Sequence, residues 1–154
     1  GNTHNVIPET AILEGTIRYL DVEIGDFLYK RLEEIVVTTA KMFRGKAILE
    51  VVASVPPLTN NRELANNLTS YVKEVVGEQS VISFEGGGMG SEDFASYGYE
   101  VPSVYFLLGA GTKEEDPHYG FPMHHPQVVF NEDILPTGAA IHAYTAMMWL
   151  KSNS

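Results

Sequence analysis

The stretch from Gly109 to Phe130 carries neither a helix period nor a strand period. A connection of that length inside a compact domain is functional or unstructured far more often than incidental. It follows the most apolar run of the chain, Val101–Leu108, and precedes the last long helical pattern. Any fold must therefore hold an apolar extended run next to this loop. The loop closes on Met123-His124-His125-Pro126. Adjacent residues of extended backbone point to opposite sides, so one of the two histidines can turn inward while the other meets solvent. Neutral imidazole is the commonest metal ligand. A surface loop with two solvated histidines is the competing reading, and the residues alone leave both open. Asp116 and His118 stand beside Lys113, Glu114 and Glu115 and read as an exposed turn.

Composition narrows the classes. The 154 residues allow one domain or two small ones, and 44% hydrophobic residues suffice for a packed core. Twenty acidic against ten basic side chains give a net charge of −10. With no basic patch, neither nucleic acid nor an anionic membrane is an expected partner. The absence of cysteine excludes disulfides and thiolate metal sites within the chain. No apolar run reaches the roughly 18 residues of a membrane helix, no signal peptide is visible, and a cytoplasmic location is expected. The chain opens at Gly1 in what reads as strand, as a trimmed or excerpted protein would.

Residues 5–8 read as a strand end, and Ala11–Leu20 alternates with period two, which predicts a half-exposed strand. Asp21 is placed to cap a helix whose buried stripe would be Ile24, Phe27, Leu28, Leu32, Ile35, Thr39 and Met42, with Gly45 as its left-handed stop. Ala47–Val55 is a further strand, closed by Pro56 and Pro57. This order matches most of a split β-α-β layer of the ferredoxin-like kind. After a boundary at Pro56–Asn61, a helix with Leu64, Leu68, Tyr71, Val72 and Val75 inward ends at Gly77. Val81–Phe84 and Val101–Leu108 read as strands, the second as a buried parallel one. Ser91 can cap a short helix, and Asn131–Leu150 is helical, with Ile134, Ile141, Tyr144, Thr145 and Met148 on one face. Two parallel strands are few for a sheet.

Among other groups, Gly86–Gly90 before a helix would let backbone N–H groups approach an anion. Glu92 and Asp93 repel phosphate there, so a carboxylate or a metal-bound oxygen is the better neighbour, and a plain glycine-rich connection is the alternative. Asn5 and Arg18 would lie on two pairing strands, the first offering amide donors and the second a fork suited to a carboxylate. An exposed arginine on a sheet is also ordinary. His4 and His142 read as structural.

Several stretches occur in a telling order: Asn5-Val6-Ile7-Pro8, Gly15-Thr16-Ile17-Arg18, Gly90-Ser91-Glu92-Asp93-Phe94, Met123-His124-His125-Pro126, then Asn131-Glu132-Asp133 and Leu135 to Ala140. Together they resemble the dinuclear metallopeptidase and amidohydrolase family of aminoacylase, carboxypeptidase G, hippurate hydrolase and auxin-conjugate hydrolases. The resemblance covers essentially the whole chain but under half of a family member, its C-terminal portion. It implies an α/β architecture: residues 1–56 as the second part of a ferredoxin-like lid that also dimerises, and 57–154 as the C-terminal part of the catalytic domain. It further implies His124 as a metal ligand, Asn5 at the scissile carbonyl or its oxyanion, Arg18 on the substrate's free carboxylate, and Gly90 and Glu92 in the loop bordering the metals.

The function so implied is metal-dependent hydrolysis of the amide bond of N-acyl amino acids or short peptides. Two divalent ions, zinc, manganese or cobalt, would polarise the carbonyl and activate water. The other ligands and the catalytic glutamate belong to the half of the family pattern not present here, so the chain by itself is expected to be inactive and to need that missing half. A homodimer through the lid sheet is the expected assembly. The alternative is a non-catalytic dimerisation or binding module built on the ferredoxin-like layer.

Overall fold

The computed structural model describes residues 3–84 and 86–154. Four α-helices are its main regular elements: α1 (Val22–Met42), α2 (Arg62–Val76), α3 (Ala95–Gly98) and α4 (Leu135–Ser152). Short 3-10 turns lie at Glu78–Ser80, Pro117–Gly120 and Glu132–Ile134. The chain divides into two compact units, one of Gly1–Pro57 with Gly87–Ser91, the other of Leu58–Gly86 with Glu92–Ser154.

In the first unit, α1 starts where its cap dictates. The Asp21 carboxylate accepts the Ile24 N–H at 3.0 Å, and Glu23 and Lys41 sit at the helix ends that suit their charges. At the other end the Arg44 N–H bonds the Lys41 carbonyl at 3.0 Å and the Gly45 N–H bonds the Ala40 carbonyl at 2.9 Å. This is the Schellman pair, and its left-handed residue is Arg44 (φ 62°), not the expected Gly45. The less exposed stripe of α1 is Gly25, Leu28, Tyr29, Leu32, Val36 and Ala40. Of the expected stripe, Leu28 and Leu32 lie on this side, whereas Ile24, Phe27, Ile35, Thr39 and Met42 are exposed, with Phe27 at 63% and Met42 at 75%. The packed side thus lies roughly a quarter-turn from the most apolar side. Gly25 explains part of the rotation. A Cβ there would stand 2.6 Å from the Tyr19 ring, so the glycine lets that ring lie against the helix.

The second unit is organised by α2 and α4, which pack on each other. The Asn61 carbonyl caps α2 through the Leu64 N–H at 2.9 Å, and Gly77 ends it at φ 86°. Asn131 accepts the Asp133 N–H at 2.9 Å and opens the turn that leads into α4, where Pro136 lies in the first turn. Ile141 is 2% exposed, and Thr145 is buried with its hydroxyl donating to the Ile141 carbonyl at 2.7 Å. Polar contacts close the helix pair: Tyr144 donates to Glu74 at 2.5 Å, and the Tyr71 and Ser152 hydroxyls meet at 2.9 Å. Run 101–108 packs on α4, where Phe106 lies 5.4 Å from the His142 ring and a Cβ on Gly138 would come 3.1 Å from Leu108.

The α/β expectation is corrected. Among the described residues there is no strand, so neither the ferredoxin-like lid layer nor the parallel sheet of a metallohydrolase domain is formed. Residues 11–20, 47–55, 81–84 and 101–108 carry strand-like sequence without pairing into ladders. A helix satisfies its backbone within itself, whereas a strand exists only against a neighbour. The same finding removes the lid sheet through which a homodimer was expected. Accessible surface tells the same story. It amounts to 13289 Å², against about 9,000 Å² for two separately packed units of this combined mass.

Candidate functional site

Arg18 occupies the first unit, and its guanidinium donates to the Met89 carbonyl. That bond joins the segment before α1 to the glycine-rich loop. Leu20 supports the same contact, since a Cβ on Gly87 would lie 3.5 Å from its side chain. Gly90 is exposed, and a Cβ there would meet nothing within 4 Å. The loop therefore stays open on that side. Asn5 belongs to this unit too, in an exposed turn closed by the Val6 N–H on the Thr3 carbonyl at 3.4 Å, not at a strand end. His4 lies in the same turn and is exposed.

Glu92 belongs to the second unit and is half-buried. One carboxylate oxygen accepts the Phe94 N–H at 3.2 Å, and the other accepts the Tyr105 hydroxyl at 3.0 Å. The Phe94 N–H, then Asp93 and Tyr105, hold its carboxyl below the usual carboxylate range. In return the Glu92 carboxylate pushes the Tyr105 phenol up. Phe94 packs between Tyr97 and Tyr105 at ring distances of 5.7 and 5.8 Å. Ser91, expected to cap the short helix, does not. The turn runs from Phe94 with no side-chain cap.

The loop before α4 has its own order. His124 is exposed and left-handed, with φ 71°. His125 is the one of the pair that packs. Its ring stacks on Phe121 at 4.2 Å and 1°, and its Nδ1 accepts the Gln127 N–H at 3.1 Å. Asp116 caps the turn Pro117–Gly120 through one oxygen that meets both the His118 N–H and its ring Nδ1, each at 2.8 Å. The backbone His118 N–H is the main reason the Asp116 carboxyl lies below its ordinary range. Both side chains of that pair are exposed.

Sequence reasoning missed Asn60 and Tyr105. The Asn60 amide bonds both backbone groups of Tyr105, accepting from its N–H at 2.7 Å and donating to its carbonyl at 2.8 Å. Asn60 had the look of linker, following two prolines. The one available signal was its asparagine neighbour Asn61, itself a helix cap.

The expectation of metal-dependent chemistry carried by this chain is corrected. Among the described residues no group of three or more histidine, cysteine, aspartate or glutamate side chains could hold a metal ion. A catalytic zinc needs about three protein ligands, and exposed His124 stands without companions of that kind. The donors present do not fit a zinc or manganese centre. They do not support amide hydrolysis by this chain, its assignment as an enzyme, or N-acyl amino acids as its substrate. The described residues likewise form no sheet through which a second lid could pair. No helix among them is long and apolar enough to cross a membrane.

Comparison with known proteins gives the class. The model of peptidase family M20/M25/M40 matches residues 3–148, and the chain belongs to that family. It is 32% identical over its whole length to IAA-amino acid hydrolase ILR1-like 2 of Arabidopsis thaliana, covering 35% of that protein. It is 32% identical over 99% of its length to N-acetyldiaminopimelate deacetylase of Streptococcus suis, covering 38%. It is 29% identical over 96% of its length to thermostable carboxypeptidase 2 of Saccharolobus solfataricus, covering 36%. The chain thus spans little more than a third of these curated relatives. No solved structure matches it.

Proposed function

We propose that this chain contributes recognition and not chemistry, with Arg18 binding the carboxylate of a small ligand beside the glycine-rich loop. The observation that carries this reading is the bond from the Arg18 guanidinium to the Met89 carbonyl. A guanidinium has five N–H donors in a fixed fork. One bond to a carbonyl orients the fork and leaves donors for a bidentate carboxylate. Arg18 is exposed, so the ligand has access. The glycines at 87, 88 and 90 let backbone N–H groups come close to the same anion. Relatives named as an IAA-amino acid hydrolase and a carboxypeptidase suit this chemistry, because amino acids and peptides end in carboxylates.

On this reading Asn5, Gly90, Glu92 and His124 perform no reaction in this chain. The two divalent ions implied by the resemblance are proposed for longer family members, to which the chain offers at most one ligand, His124. Titration with benzoate and benzamide, followed by the side-chain N–H resonances of arginine, tests the carboxylate site. Benzoate is expected to shift the Arg18 signals saturably, benzamide to leave them in place, and Arg18→Ala to remove the benzoate response elsewhere in the first unit. An equal response to both compounds, or full binding by Arg18→Ala, would reject the proposal.

A further inference from the structure

Tyr19 stands between two residues that both reach the glycine-rich loop. On one side of it in the chain, the Arg18 guanidinium donates to the Met89 carbonyl. On the other, the Leu20 side chain lies where a Cβ on Gly87 would come within 3.5 Å. Arg18 and Leu20 are exposed, whereas Tyr19 is half-buried. Its ring is seated on α1. A Cβ at Gly25 would stand 2.6 Å from two of the ring carbons, so the ring fills the space that a side chain at position 25 would take. Tyr29, one turn further along α1, meets the same ring edge-on, with centroids 6.1 Å apart and planes at 83°. The Tyr19 and Ser54 hydroxyls lie 3.5 Å apart. All of these residues belong to the first unit.

Glycine is a poor residue for a helix, and α1 carries it where the Tyr19 ring lies. The gain falls on the seat of that ring, and so on the two residues that flank it. An arginine side chain has many rotamers. A site that fixes the guanidinium beforehand binds a carboxylate more tightly than one that must order it on binding.

We infer that Tyr19 is a positioning residue: its ring, seated against Gly25 of α1, holds residues 18–20 so that the Arg18 guanidinium stays at the glycine-rich loop. The ligand in this inference rests on the carboxylate reading of Arg18, but the seat can be measured without a ligand. Gly25→Ala, Tyr19→Ala, the double variant and Tyr19→Phe are compared in the full chain. Exchange of the Arg18 guanidinium N–H groups with water, followed by NMR in the free protein, reads the seat. Benzoate titration reads the site. Gly25→Ala is expected to speed Arg18 exchange and to weaken benzoate binding by about two- to tenfold. Helical circular dichroism should not fall, since alanine favours the helix; a merely structural role would lower helicity and affinity together. Tyr19→Ala should act in the same direction. With the ring gone, Gly25→Ala should add nothing further in the double variant. Tyr19→Phe keeps the ring and should restore both readings. Unchanged Arg18 exchange in Gly25→Ala, or independent losses that add in the double variant, overturn the inference. Should Gly25→Ala fail to fold, Tyr19→Ala against Tyr19→Phe decides. Failure of benzoate to bind the unaltered chain would reject the carboxylate reading, and Arg18 exchange would then decide the seat by itself.

Discussion

Helix α4 and run 101–108 lie in the same unit, are both apolar, and end differently. The helix closes its hydrogen bonds within itself and needs a neighbour only to cover one face, which α2 provides. The extended run closes none of its own. Its backbone is bonded by Tyr97 at Val101, by Asn61 at Ser103 and by Asn60 at Tyr105, and among the described residues no hydrogen bond reaches the backbone of Val104, Phe106 or Leu108. The contrast teaches that local bonding, more than apolarity, decides which segments of this chain become regular elements. It also predicts where stability resides.

The sharpest way to break the comparison is to hollow the helix pair. Ile141→Ala is expected to lower unfolding free energy by about 2–4 kcal/mol, because Ile141 is 2% exposed and its removal leaves a cavity on the packed side of α4. The matching change in a strand-like segment, Val52→Ala, is expected to stay within about 0.5 kcal/mol, since Val52 is 94% exposed. Urea unfolding followed by helical circular dichroism measures both. Equal losses would mean that the strand-like segments are packed in solution and that the two regions do not differ as described.

A smaller effect tests the extended run itself. Asn60→Ala takes away the partner of both Tyr105 backbone groups, with an expected loss of about 1–3 kcal/mol. Asn60→Asp keeps the acceptor and loses the donor, so the Tyr105 N–H should stay protected from exchange while stability falls part of the way. If Asn60→Asp behaved like the unaltered chain, the bond to the Tyr105 carbonyl would contribute nothing.

The same contrast explains what could be read in advance. Asp21, Asn61 and Gly77 announce helix ends by local chemistry, and the face of Ile134, Ile141, Tyr144, Thr145 and Met148 is the side of α4 that packs. The α1 face was misjudged because the apolar stripe was taken as the buried one. The close approach of Tyr19 to Gly25 is a tertiary fact that no stripe reveals. The strands were misjudged for a related reason. Period two in residues 11–20 states what a neighbour would find, not that a neighbour is there. At the site, the fork of Arg18 suggested a carboxylate partner from sequence, whereas its bond to the Met89 carbonyl joins residues far apart in the chain. The histidine pair was legible only as a pair. That His125 packs and His124 does not is set by the Phe121 ring.

Arg44 offers a change of opposite sign. It holds a left-handed backbone that a side chain resists, and both Schellman bonds are already made. Arg44→Gly should therefore raise stability by up to about 1 kcal/mol. The gain is read as a higher urea midpoint with an unchanged denaturant slope. A loss would show that the arginine side chain makes contacts outweighing the backbone strain.

The smallest expected effect concerns pH. Glu92 is held below its ordinary value of 4.5 by the Phe94 N–H, Asp93 and Tyr105. A carboxyl lowered on folding adds stability that is complete above the unfolded value and is lost as pH falls through the folded one. Tyr105→Phe removes one of the three causes, so the Glu92 midpoint should rise toward 4.5 without reaching it, as read from its side-chain carbon shift. The difference in melting temperature between the two proteins should persist above pH 4.5 and shrink as acid protonates Glu92. A midpoint unmoved by Tyr105→Phe would assign the lowering to Phe94 and Asp93 alone. The contact from run 101–108 to Glu92 would then be packing without electrostatic consequence, and the polar anchoring of Ser103 and Tyr105 would come from Asn60 and Asn61.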